Sequence, residues 1–193
     1  MGVYGLSSNN NTRKMAFEIA EKLLDYGEEP VFLCVGNSNV VGDMYGAMVG
    51  DILKDETRLK GKVFGTLNDN VRASNLYDTW AEIKNKFPLS PIVIIDSALT
   101  DENQVGYVKF CPYGCIPNAT QNNKIMGNLS ILAMVNSVGI SQLMFLKSVK
   151  YTMVKDMAQF TAKSILESLK LYDTIKCNFT KFSSNKTHMS VGY

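Results

Sequence analysis

The chain has 193 residues, 46% of them hydrophobic and 20% charged, with a formal net charge of +2. That balance fits one compact globular domain and excludes both a disordered chain and one built around a basic nucleic-acid-binding block. No apolar stretch approaches the roughly 18 residues of a membrane span, and the polar, Asn-rich residues 1–13 do not read as a secretory signal, so a cytoplasmic protein is the default expectation.

Thr12 reads as an N-cap for a helix over 13–26, where Met15, Ile19, Leu23 and Tyr26 recur at helical spacing and Gly27 ends the run. Val31-Phe-Leu-Cys-Val35 then reads as a buried parallel strand, followed by a loop over 36–42. A helix from Asp43 to about Lys54 follows, with Tyr45, Met48, Val49, Ile52 and Leu53 on its apolar face. Residues 62–66 form a second strand, and 71–87 a helix presenting Leu76, Trp80 and Ile83. Pro91-Ile-Val-Ile-Ile95 is the third strand. The order β-α-β-α-β predicts a parallel sheet covered by helices on both faces.

The second half is less regular. A strand is expected over 105–110, then a polar loop with Pro112, Gly114 and Pro117 that reaches Gly127. Residues 129–135 form another strand, and 140–147 a short helix or strand. A closing helix over 151–172 places Met157, Phe160, Ile165 and Leu169 in the core, and the polar chain from Asp173 is expected to be loosely held. The domain reading is one α/β domain over 1–172 with a C-terminal tail over 173–193.

The four cysteines are Cys34, Cys111, Cys115 and Cys177, and His188 is the single histidine. Cys34 in an apolar strand behaves as a small hydrophobe. Cys111-Pro-Tyr-Gly-Cys115 resembles half of a zinc knuckle whose other half is missing, and a disulfide framework does not suit a cytosolic chain. Reduced, structural cysteines are expected, with no metal and no cofactor.

Two acids stand at strand ends, where open α/β sheets bind ligands. Asp43 follows the loop Gly36-Asn-Ser-Asn-Val-Val-Gly42, and Asp96 follows four apolar residues and precedes Ser97-Ala-Leu-Thr100. The loop has neither G-x-G-x-x-G nor G-K-[ST] spacing, so phosphate binding has no support. Asp43 is either a helix-starting acid favoured by the helix N-terminus or a site residue. Asp96 is either an acid capping the Ser97 or Leu99 amide or a site residue kept at the rim of the core. Two facing carboxylates sharing a proton could hold a water and act as base and acid in turn. No Ser-His-Asp set and no Cys nucleophile with a neighbouring base can be assembled.

The stretch Cys34-Val-Gly-Asn-Ser-Asn-Val-Val-Gly-Asp43-Met-Tyr-Gly-Ala-Met-Val-Gly50 resembles the signature of YyaC-type sporulation proteins of Gram-positive spore formers. Val63-Phe-Gly-Thr-Leu-Asn-Asp-Asn-Val71 with Ala73 and Asn75, then Ile94-Ile-Asp96-Ser-Ala-Leu99, Gln104-Val-Gly106 and residues 131–138, continue the likeness in one register over about 12–170. That family is similar in turn to the germination protease and to hydrogenase maturation proteases. The likeness implies a three-layer α/β sandwich with a mainly parallel twisted sheet. It implies an atypical aspartic peptidase in a sporulating cell or forespore, acting on a protein or peptide through Asp43 and Asp96. Gly36, Asn37, Gly42 and Ser97 would then contact or shape the way in for substrate, and a homo-oligomer is one form the protein could take. The nickel of the hydrogenase proteases needs a histidine from the region following Val105, and this chain has none in that region, its single histidine being His188. A non-catalytic protein holding a partner in the same cleft is the alternative, and a divalent-metal hydrolase a third reading. Asn128 stands where the family commonly has an acid; if that acid serves catalysis, this chain is a weakened member.

Overall fold

The computed structural model describes residues 1–59, 62–117, 123–137 and 149–188, with side chains as far as residue 178 except at 57. The element expected over 140–147 lies outside the described residues. The order is β1 (Gly2–Tyr4), α1 (Asn9–Leu24), β2 (Val31–Cys34), α2 (Tyr45–Lys54), β3 (Val63–Phe64), α3 (Leu76–Lys86), β4 (Ile92–Thr100), β5 (Val108–Cys111), β6 (Leu129–Ser137) and α4 (Tyr151–His188). Short 3-10 turns lie at Val41–Asp43, Thr57–Leu59 and Glu102–Gln104.

The fold is α/β with a six-stranded sheet in the order β1-β5-β6-β4-β2-β3. The sheet is mixed: β3, β2, β4 and β6 run parallel, while β5 pairs antiparallel with β6 and β1 antiparallel with β5. Every residue of β2 is fully buried, as expected of a strand with packing on both faces. Alternation along the strands sorts the core into two clusters. Phe32, Cys34, Val93, Ile95 and Ile131 pack with Met15 and Ile19 of α1, Val49 of α2 and Met157 and Ile165 of α4. Val31, Leu33, Ile92 and Ile94 pack with Leu76 and Ile83 of α3 and with Met126. Each large aliphatic side chain so buried contributes about 1.5–3 kcal/mol.

Several boundaries differ from the sequence reading, for local reasons. Helix α1 begins at Asn9, capped by Ser8, whose hydroxyl accepts the Asn10 amide at 3.1 Å. Thr12 is therefore a buried residue inside the helix and not its cap. Strand β1 lies in the segment that reads as polar in sequence, and it forms an edge strand paired antiparallel with β5. The helix expected from Val71 starts at Leu76, since Val71 bridges Val35 instead. Strand β4 runs on through Asp96 to Thr100 because β6 continues beside it, with a register shift between Ala98 and Leu99. Helix α4 does not stop at Tyr172. Its continuation is held to the body by Asp173, whose Oδ1 accepts from Arg58 Nη2 at 2.7 Å, and by Lys176, whose Nζ donates to the Gly27 carbonyl at 2.6 Å. No helix among the described residues is long and apolar enough to cross a membrane.

Helix α2 lies directly on the sheet because it carries glycine where it touches. A Cβ at Gly46 would stand 2.1 Å from the Val35 carbonyl oxygen, and one at Gly50 would stand 1.8 Å from that of Gly65. The obstacle is backbone in both cases and cannot swing aside. Gly50→Ala is expected to destabilise the protein by about 2 kcal/mol or more. The measurement is the urea midpoint, and a loss below about 0.5 kcal/mol would contradict so close a seat.

Candidate functional site

The site lies where β2 ends and β4 goes on. From β2 the chain crosses through α2 to β3 on one side, and from β3 it returns through α3 to β4 on the other. The carboxyl ends of β2 and β4 thus flank the point where the winding reverses, the usual ligand crevice of such sheets. Strand β2 pairs with β4 as far as Cys34 opposite Ile95, and the Val35 amide donates to the Ile95 carbonyl at 2.8 Å. Beyond that point β2 turns away, with the Gly36 amide donating to the Val71 carbonyl at 2.8 Å. Beside residues 96 and 97 the pairing with β2 has ended, which leaves a gap in the strand pairing.

Asp43 enters this gap from the 3-10 turn ahead of α2 and is half-buried. Its Oδ1 accepts the Ser97 hydroxyl at 3.3 Å, and its Oδ2 accepts the Asn37 amide at 3.1 Å. Burial pushes its pKa above the usual carboxylate range, while the bonds from Ser97 and Asn37 pull the other way.

Asp96 is 1% exposed and lies inside β4 opposite Leu132, so it is a strand residue rather than a residue after the strand. Alternation starts it on the face of Ile92 and Ile94 and sends Ser97 to the face of Val93 and Ile95. The strand by itself would part Asp96 from Asp43. A second feature draws it back: Asp96 Oδ1 accepts the Ser97 amide at 2.8 Å. Because the Ile95 carbonyl faces β2, the Ser97 amide two residues on faces the same side, into the gap. Both acids are therefore bonded to Ser97, and their bonded oxygens stand no more than about 10 Å apart.

The remaining sequence candidates fall in two groups. Asn37 holds Asp43 through its backbone, while its side-chain oxygen accepts the Asn39 amide at 3.0 Å. Gly36 permits a close approach, since a Cβ there would lie 2.0 Å from the Asp43 carbonyl oxygen, and Gly42 is buried in the turn. These residues shape the loop. Asn128 is at the other end of the sheet: its Oδ1 accepts the Ile92 amide at 2.8 Å and its amide donates to the Ile92 carbonyl at 2.7 Å. Four residues of strand, about 13 Å, separate that position from Asp96. Asparagine and aspartate can both accept that bond, so an acid at 128 could serve as the same strand-start acceptor.

The chemistry-led reading missed the neighbouring loop after β3. Asn70 Nδ2 donates to Ser38 Oγ at 2.8 Å, and Asn75 closes the loop by donating to the Asn70 carbonyl at 3.1 Å and accepting the Arg72 amide at 2.8 Å. Three polar side chains in a row of turn residues were the available signal. On the other face of the sheet, Cys115 has its pKa pushed up to about 12, mainly by burial, with nearby Asp96 adding to the effect. Among the described residues no group of three or more His, Cys, Asp or Glu could hold a metal ion, and the four cysteines are free thiols. With Cys34 and Cys111 buried and Cys177 exposed, iodoacetamide at neutral pH is expected to alkylate Cys177 first. Peptide mass mapping before and after denaturation checks this, and fast labelling of Cys111 would contradict it.

A raised pKa in the folded state means that the native protein binds the Asp43 proton more tightly than the unfolded chain does. Stability is then lost as pH rises through the window between the two values. The stability of Asp43→Asn relative to wild type is expected to grow from about pH 4 towards neutrality. Urea midpoints across that range measure it, and a difference independent of pH would show an unperturbed carboxyl.

A family model described as "Protein of unknown function (DUF1256)" matches residues 4–164, a span that includes Asp43, Asp96 and Ser97. The "Uncharacterized protein YyaC" of Bacillus subtilis (strain 168) is 30% identical over 142 residues, which cover 72% of this chain and 69% of that protein. The YyaC-type likeness is thereby met, and neither match carries a link to proteases. With most of its length inside that model, the chain belongs to the DUF1256 family.

Proposed function

We propose that this protein is a peptide-bond hydrolase of the atypical aspartic type, with the three-layer fold of the germination and hydrogenase maturation proteases, acting in a sporulating cell or forespore. The observation that carries the reading is the gap beyond β2, where two carboxylates from distant parts of the chain are bonded to one serine. Asp43, half-buried and with its pKa raised, is the base: it takes a proton from water as the water attacks a peptide carbonyl, and a raised pKa strengthens it in that role. It then returns the proton to the departing amine. Asp96, almost fully enclosed, is bonded to the same serine through the Ser97 amide and completes the acid pair.

A second reading has one observation in its favour. Asp96 is almost fully enclosed and uses an oxygen on its own strand, as a purely structural acid would. On that reading the gap holds a peptide or protein partner without cutting it.

Incubation with spore-coat and acid-soluble spore proteins tests the proposal. Wild type is expected to cleave, and Asp43→Asn and Asp96→Asn each to reduce the rate by about a hundredfold or more. Cleavage that survives both substitutions removes the mechanism, and retention of an intact partner by wild type establishes the second reading.

A further inference from the structure

We propose that Ser97 is the positioning residue of the acid pair, bonding Asp43 through its hydroxyl and Asp96 through its amide, and not a substrate contact. At 1% exposure its hydroxyl is closed to a substrate, whereas Asp43 is only half-buried. The hydroxyl donates to Asp43 Oδ1 at 3.3 Å, and the Asn37 amide holds Oδ2 at 3.1 Å. The Asp43 carboxyl is thus fixed at both oxygens, by strand on one side and loop on the other. The Ser97 amide, only three covalent bonds from that hydroxyl, donates to Asp96 Oδ1 at 2.8 Å. One side-chain rotamer therefore sets the spacing between an acid from the turn ahead of α2 and one inside β4, and a shift of about 1 Å at such a point is enough to impair catalysis.

The surroundings support assigning this work to a hydrogen bond. Tyr45 of α2 interacts electrostatically with Asp96 and Cys34, and its hydroxyl is paired with Thr161 of α4 at 2.7 Å. Among the described residues, burial and the bonds from Ser97 and Asn37 account for what moves Asp43, with no charged group of α2, β4 or α4 contributing. A bond that favours the charged carboxylate lowers its pKa, so losing the Ser97 donor raises it.

The inference rests on the peptidase reading only for its kinetic readout. The experiment follows the Asp43 side-chain carbon by 13C NMR through a pH titration of the full chain, the resonance being assigned by its disappearance in Asp43→Asn. Ser97→Ala and Ser97→Cys are expected to move the midpoint upward, and Ser97→Thr, which keeps the hydroxyl, to restore it. Ser97→Cys nearly preserves volume and carries the comparison if Ser97→Ala does not fold. On a cleaved substrate, Ser97→Ala is expected to lower kcat about tenfold or more with little change in KM. An unchanged Asp43 midpoint in the alanine and cysteine variants overturns the proposal, as does a raised KM at unchanged kcat, which would restore a substrate contact. A wild type that cleaves nothing removes the peptidase reading alone, and the titration still decides the role of Ser97.

Discussion

A helix can touch the backbone of a sheet only where it presents no side chain, and the position of α2 depends on that condition. Gly46 meets the carbonyls of Val35 and Ile95, and Gly50 meets that of Gly65. The helix thereby spans the ends of β2 and β4 and the exit of β3 at backbone distance. Asp43 stands one short turn ahead of this contact, so its reach towards β4 is set by backbone packing and not by a flexible loop. The Asp43 carbonyl in turn presses on Gly36, which closes the loop on itself. Three glycines at close contacts account for how an acid some fifty residues away in sequence comes to bond Ser97.

The electrostatics follow from this packing. A carboxylate drawn under a helix start loses water, and its charged form becomes harder to maintain. The protein offsets part of this with two donors, the Asn37 amide and the Ser97 hydroxyl, yet leaves Asp43 with a raised pKa. A group held so is a burden on stability near neutral pH and an asset to a base. Asp96 is buried more deeply, and its bond to the neighbouring amide draws it towards the same gap. Away from the gap, acids on the surface are paired with cations in ordinary fashion, as Glu82 is with Lys86.

The two ends of the sheet divide the labour. At the amino ends of β4 and β6, Asn128 and Ile92 exchange bonds that start the strands together. At the carboxyl ends, β4 and β6 outrun β2 and are irregular in register between Ala98 and Leu99. There the Ser97 amide donates to the Asp96 side chain.

Much of this was legible in the sequence, because burial and periodicity are local signals. The apolar runs at 31–35 and 91–95 and the helical spacing in α1, α2, α3 and α4 specified an α/β protein with both faces of the sheet covered. The glycine-flanked loop and the two acids at the ends of apolar runs were visible as well. What was not legible depended on partners far along the chain. Strand β1 exists only through β5, and β4 extends past Ile95 only through β6. The continuation of α4 is tied down by Arg58 and Gly27. The linking part of Ser97 divides between the two: the Asp96 bond to the next amide is local and was one of the sequence readings, whereas the Ser97 hydroxyl meets Asp43, more than fifty residues away, only in the assembled fold.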